Sequence, residues 1–223
     1  MKKMISVLSV LFVLFLSTSC QKDPDMSKLD DNFMVYTDYD KKENFSEFST
    51  YYIPDSILLI SDSKEAKYWK DDNALNIIDT YVKNMDERGY TRVEEKEDAD
   101  LGIQVSYVED SYYFTGYSNP YWWWDYPGYW YPGYWGGYWG GGWYYPYSVV
   151  YSYNVGSMLA ELVNLSAPTG QKEKLPVLWS AYMTGLLSGS NRFNTQLAIT
   201  AVNQAYVQSP YLKKYNYRQD ENN

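Results

Sequence analysis

The chain has 223 residues, no His, and a single Cys, Cys20. Those counts remove most side-chain chemistry. A Ser-His-Asp or Cys-His nucleophile system needs an imidazole to take the proton, and a His-bearing zinc site needs one as ligand. One thiol makes neither an internal disulfide nor a CxxC pair. Carboxylates remain. Asp38 and Asp40 are two apart in a strand-like segment, so their carboxylates share one face, where they could hold a cation or work as an acid pair. The same spacing also lines a solvated edge or caps a turn. Asp98 with Asp100, and Glu109 with Asp110, are weaker versions. A two-carboxylate hydrolase needs a defined pair, and nothing singles one out. The expectation is therefore no enzyme: no catalytic residue, no cofactor and no metal. Gly140-Gly141-Gly142 is not a phosphate loop, because no Gly-Lys-Ser or Gly-Lys-Thr follows. The formal charge of −9 argues against nucleic acid, whose phosphates need clustered Lys and Arg.

The lone Cys sits at an informative place. Lys2 and Lys3 precede an apolar run of 13 residues, 4 to 16. That is shorter than the roughly 20 residues a bilayer-spanning helix needs, and it fits the core of a signal peptide over 1–19. Leu16-Ser17-Thr18-Ser19-Cys20 resembles the lipobox of bacterial lipoproteins, in the looser form of Bacteroidetes. It departs from the usual pattern at Ser17, where Leu is preferred. The resemblance implies cleavage after Ser19 and lipidation of Cys20, with palmitate among the acyl chains. One chain gives marginal membrane binding; two or more give a stable anchor, at about 0.8 kcal/mol per buried CH₂. The mature chain would have 204 residues and a charge of −11, since two Lys and no acid leave. Gln21-Lys22-Asp23-Pro24-Asp25 resembles a Bacteroidetes surface-export signal, and it also serves as a plain charged tether. The expected location is the outer membrane, lipid-anchored, with surface exposure if that signal is read. Residues 20–32 are the lipidated N-terminus and a flexible tether reaching about 20 Å.

A second unusual segment lies in mid-chain. Residues 112–153 hold 22 of the 43 aromatic residues, together with eight Gly, four Pro and one charge, Asp125. Pro127-Gly128-Tyr129-Trp130-Tyr131 repeats as Pro132-Gly133-Tyr134-Trp135-Gly136, with a shorter echo at Gly137-Tyr138-Trp139-Gly140. Pro-Gly favours a type II turn, with Gly supplying the positive φ. The tract is thus a string of turns carrying paired rings, inserted over 115–147 like an oversized hairpin connection. Three roles stay open. It is self-packing filler, a glycan-binding surface whose rings stack on sugars, or a membrane contact, since Trp and Tyr favour the bilayer interface. Its candidate contact residues are Trp122, Trp123, Trp124, Trp130, Trp135, Trp139 and Trp143. Single-stranded nucleic acid is excluded by the missing basic groove.

The elements around it follow from periodicity. Residues 33–39 alternate as a strand, and 50–53 form a second that stops at Pro54. Residues 55–70 show no clear period. Asp71 or Asp72 caps a helix to Arg88, with Leu75, Ile78, Val82 and Met85 as its apolar stripe and Gly89 as its αL terminator. Leu101, Ile103, Val105 and Tyr107 alternate with Gly102, Gln104 and Ser106, a half-buried strand. Residues 148–156 and 158–165 are strand candidates, and 167–172 a turn. A last strand places Val177, Trp179, Ala181 and Met183 on one face. Ser190 or Asn191 caps a final helix to about Gln208, whose narrow face is Leu197, Ala198, Ala201, Val202 and Ala205; Pro210 ends it. Residues 213–223 read as a disordered polar tail. The order predicts an α+β domain over 33–212: an antiparallel sheet of five to six strands with two helices on one face.

Several motifs line up with one family. Val35-Tyr36-Thr37-Asp38-Tyr39-Asp40 followed by Phe45, Phe48 and Thr50-Tyr51 resembles the opening of the lipoprotein domain called domain of unknown function 4136. Arg88-Gly89-Tyr90, Ala99-Asp100-Leu101, Gly156-Ser157-Met158-Leu159, Leu178-Trp179 with Gly185, and the close at Ser209-Pro210 continue the match. Glu161 stands where the family has Asp. The resemblance implies a bacterial envelope lipoprotein and no particular activity. Its implied partners are the lipid bilayer, through acylated Cys20, and a glycan or other envelope proteins.

Overall fold

Eleven strands and two helices are built by the residues that the computed structural model describes: 33–60, 67–109, 143–147, 155–167, 175–188 and 192–214. The order is β1 (Met34–Tyr39), β2 (Thr50–Tyr52), β3 (Ile57–Ile60), β4 (Lys67–Trp69), α1 (Asp72–Glu87), β5 (Thr91–Arg92), β6 (Leu101–Val108), β7 (Trp143–Tyr144), β8 (Met158–Asn164), β9 (Leu175–Thr184), β10 (Leu187–Ser188), β11 (Arg192–Phe193) and α2 (Thr195–Val207). The signal peptide, tether and Cys20, Asp110, most of the aromatic tract, the 148–156 strand candidate except its last two residues, most of the 167–172 turn and the tail from 215 lie outside the described residues.

The sheet is mixed, not antiparallel. Eight strands form an open sheet in the order β1-β9-β8-β6-β2-β5, with β3 and β4 extending from β6; β7 joins as a ninth, on β9. β1, β9, β8 and β6 pair antiparallel. β2 and β3 both run parallel along β6, with Tyr51 opposite Leu101 and Leu58 opposite Ser106. Parallel neighbours need a crossover, and α1 supplies it between these two strands and β6. The two short strands lie along the same side of β6, between it and β5 or β4, and are separated at Pro54, which has no N–H for the ladder. That interruption left 55–70 without a readable period, although β3 and β4 lie there.

Both helices cover one face. Asp71 Oδ1 accepts the N–H of Asn73 (2.9 Å) and Ala74 (3.0 Å) and so caps α1. At the other end Gly89, at φ +87°, closes the helix, with Tyr90 N donating to Met85 O and Gly89 N to Asp86 O. The buried stripe is Ala74, Ile77, Ile78, Tyr81 and Met85, with Asn84 beside it. Of the expected stripe, Leu75 is exposed and Val82 only half-buried. α1 must meet α2 as well as the sheet, where Asn84 Nδ2 donates to Asn203 at 2.8 Å, and this turns its buried side by about one residue. α2 begins later than expected. Asn194, not Ser190 or Asn191, is its cap, because Arg192 and Phe193 are held in a hairpin with Leu187 and Ser188. Of its expected small face, Ala198, Ala201, Val202 and Ala205 are buried and Leu197 is only half-buried.

The sheet is buried on both faces, and this revises the reading of two strands. On β6, Gln104 and Ser106 were expected at the surface; both are fully buried. A second apolar layer, opposite the helices, covers them: Leu58, Ile60, Val108, Leu159, Val163, Leu175, Val177 and Tyr182 with Tyr145. On β9 a bulge breaks the period. Leu162 faces Trp179 but Val163 faces Val177, so Leu178 is the extra residue. Leu178 therefore joins Trp179, Ala181 and Met183 under the helices, while Val177 turns to the second layer.

Candidate functional site

The second layer contains a row of polar side chains in its centre. Asp38 on β1 lies opposite Ser180 on β9, Ser180 opposite Glu161 on β8, and Glu161 opposite Gln104 on β6. Alternation puts all four on the face away from the helices. Ser180, Glu161 and Gln104 are each at most 1% exposed. One row further along, Ser157 and Tyr182 share a hydrogen bond of 2.9 Å, and Tyr36 stacks on Tyr182 with ring centroids 6.3 Å apart.

A strap crosses this row. β7 pairs parallel with the start of β9, Trp143 opposite Leu175 and Tyr144 opposite Pro176. The chain then runs along the face in the direction of β9. Tyr145 O–H donates to Glu161 Oε1, and Tyr147 O–H donates to Ser180 Oγ at 3.2 Å. The rings of Tyr145 and Tyr147 meet edge to face at 5.6 Å. Tyr145 is buried within the second layer. Two of the 22 aromatics in the tract thus serve the core.

Burial holds the Glu161 carboxyl well above the usual carboxylate range. Among the described residues its Oε2 has no hydrogen-bond partner and no ion pair involves it. An ionised carboxylate in such a place costs several kcal/mol and so takes a proton instead. A neutral acid is neither a metal ligand nor an anionic nucleophile. Asp38 stands two strands away, about 10 Å at the backbone, and its Oδ1 accepts the N–H of Tyr39 at 2.8 Å. Asp40 accepts the N–H of Lys42 at 3.0 Å and shapes the turn after β1. Asp38 and Asp40 are therefore occupied locally. Among the described residues no three His, Cys, Asp or Glu stand close enough to hold a metal.

Asp100 is a structural knot. Its Oδ2 accepts Ser49 N (2.7 Å) and Thr50 N (3.0 Å), its Oδ1 accepts Ser166 Oγ (3.3 Å), and its own N–H goes to Thr50 Oγ1 (3.0 Å). Its carbonyl receives Leu165 N. One residue thus ties the starts of β2 and β6 to the end of β8. Partial burial pushes its carboxyl up, but the hydrogen bonds from Ser49, Thr50 and Ser166 outweigh that and hold it below the usual range. Arg88 does similar work between the helices. Its guanidinium lies 4.7 Å over the Tyr206 ring and donates to Tyr206 O at 2.8 Å.

The structure brings Asp38 into the row with Glu161. Cys20, Trp122, Trp123, Trp124, Trp130, Trp135 and Trp139 lie outside the described residues. Trp143 is placed by its backbone alone, in β7. Sequence reasoning missed the Gln104–Glu161–Ser180 row, because Gln104 looked like a solvent-facing strand position. The available signal was Glu161 itself, one charge in the centre of the apolar run 158–165.

The family model described as domain of unknown function (DUF4136) matches residues 35–211. A DUF4136 family protein from Bacteroides thetaiotaomicron VPI-5482, known from a crystal structure at 1.60 Å, is 56% identical with a TM-score of 0.75. The match covers 82% of this chain and 99% of that one. The PelC dodecamer from Paraburkholderia phytofirmans gives 13% identity and a TM-score of 0.38, over 82% of this chain and 99% of that one. No curated protein matches the chain.

Proposed function

The chain belongs to the DUF4136 family, and on that basis we propose that it is an envelope lipoprotein, anchored through acylated Cys20, whose domain has a structural or recognition role and no catalytic one. The observation that carries this is the place of the only thiol: it follows a 13-residue apolar run after Ser17-Thr18-Ser19 and precedes β1, at Met34, by a short polar segment. The geometry of the second layer supports the non-catalytic part. Among the described residues of that layer the buried acid, Glu161, is held towards its protonated form by burial, and the nearest carboxylate in the row, Asp38, is engaged with backbone. The protein lies in the outer membrane on this reading, with the folded domain held near the bilayer.

Fractionation of cells making wild type and Cys20→Ala tests the anchor. The wild type sediments with membranes and the variant is released; a variant that still sediments overturns it.

The second reading is glycan recognition by the tract. It is favoured by one arrangement: the tract lies between β6 and β8, whose adjoining ends are tied by Gly156 N donating to Val108 O at 2.9 Å, so the two ends of the insertion are fixed side by side. Tryptophan fluorescence titrated with a panel of polysaccharides is the test, and a flat response across the panel rejects it.

A further inference from the structure

We infer that Glu161 and Tyr145 form a proton-dependent latch that holds the C-terminal end of the aromatic tract on the sheet. The strap 143–147 has two kinds of attachment. One is the short ladder of β7 to Leu175 and Pro176. The other is a pair of phenol contacts, Tyr145 to Glu161 and Tyr147 to Ser180. The first of these ends on an acid that is 1% exposed.

The groups facing Glu161 come from three sides. β6 offers Gln104, an amide. β9 offers Ser180, with the Tyr182 phenol one row on. The strap offers the Tyr145 and Tyr147 phenols, and Asp38 on β1 is the next acid along the row. Among these there is no cation to stabilise a carboxylate. Among the described residues Oε2 has no hydrogen-bond partner. The closed strap therefore accommodates the neutral acid. Ionisation requires water at Oε2, and the strap is the element that must lift to admit it.

Linkage fixes the sign. The closed state binds a proton that the open state releases near the ordinary value of 4.5. Closure is strongest below that value. It weakens as pH rises, by up to about tenfold in the closing equilibrium per pH unit, until the raised value of the closed state is passed. Lifting the strap frees the end of the tract that precedes β8. The device thus couples the hold on residues 143–147 to the acidity of the surroundings.

Hydrogen exchange of the full-length protein between pH 5 and pH 8 tests this. It is read as protection factors, which remove the intrinsic pH dependence of exchange. In the wild type, protection of residues 143–147 should fall by up to about tenfold per pH unit while the amides of β6 and β8 keep theirs. Glu161→Gln keeps the shape and cannot ionise, so its strap protection should be flat. Tyr145→Phe removes one donor and should lower strap protection by at least a few-fold at every pH. A flat wild-type strap overturns the latch, as does a slope that persists in Glu161→Gln. An equal slope in β6 and β8 also overturns it, because the event would then be global unfolding.

Discussion

The indole N–H of Trp179 donates to Ser209 Oγ at 2.8 Å, across 30 positions of sequence. Both residues are fully buried. Ser209 also receives the Tyr211 phenol at 3.3 Å, and the Trp179 ring packs on Tyr206 at 5.4 Å. The bond fastens the segment after α2 to the helix-facing side of β9. Two motifs that look unrelated in the sequence, Leu178-Trp179 and Ser209-Pro210, are therefore the two ends of one contact.

Ser209→Ala leaves that indole buried without an acceptor. The expected cost is about 1–3 kcal/mol, read as a lower urea midpoint at unchanged slope. Trp179→Phe in the same background should add less than it costs alone, since the polar partner is already gone. Full additivity of the two would show that the bond contributes nothing.

Gly156 is needed for two reasons at once. Its φ is +80°, and a Cβ built there falls 2.4 Å from Leu187 Cγ. Gly156→Ala should destabilise by about 1–3 kcal/mol. Adding Leu187→Ala removes the clash and leaves the backbone strain. The double variant should then be more stable than the sum of the two singles predicts. Thermal or urea unfolding of all four proteins of the cycle checks this.

Asp100 carries a pH signature of the opposite sign to Glu161. Its folded carboxyl sits below the ordinary 3.8, so its contribution is present above that value and is lost as pH falls through the folded one. Solvent reaches this group, which limits the contribution to about 1 kcal/mol. Asp100→Asn should be less stable than wild type at pH 6, and the gap should narrow progressively as pH falls below about 4. A gap that stays constant from pH 6 to pH 3 would mean the charge plays no part.

The features read correctly from sequence are those with local causes. The Asp71 cap, the Gly89 terminator, the small face of α2 and its stop at Pro210 each depend on residues within one or two turns. The misreadings arise where distant chain decides. Gln104 looks solvent-facing until the second layer covers it. Val177 shares the period of Trp179 until the bulge at Leu178 turns it over. The parallel pairing of β2 and β3 with β6 depends on the α1 crossover, which no single strand reveals. Tyr145 and Tyr147 look like more of the aromatic tract, yet they reach Glu161 and Ser180 and belong to the core. Glu161 was visible as a charge in an apolar run, but its neutrality follows only from the three strands and the strap around it.

The anchor at Cys20 is the claim on which the proposed function rests. Intact mass of the protein purified from its native membranes measures it most directly. The account predicts a chain that begins at Cys20, carries acyl chains on that residue, and loses both features in Cys20→Ala. A mature protein that begins elsewhere, or that begins at Cys20 with a free thiol, would contradict it.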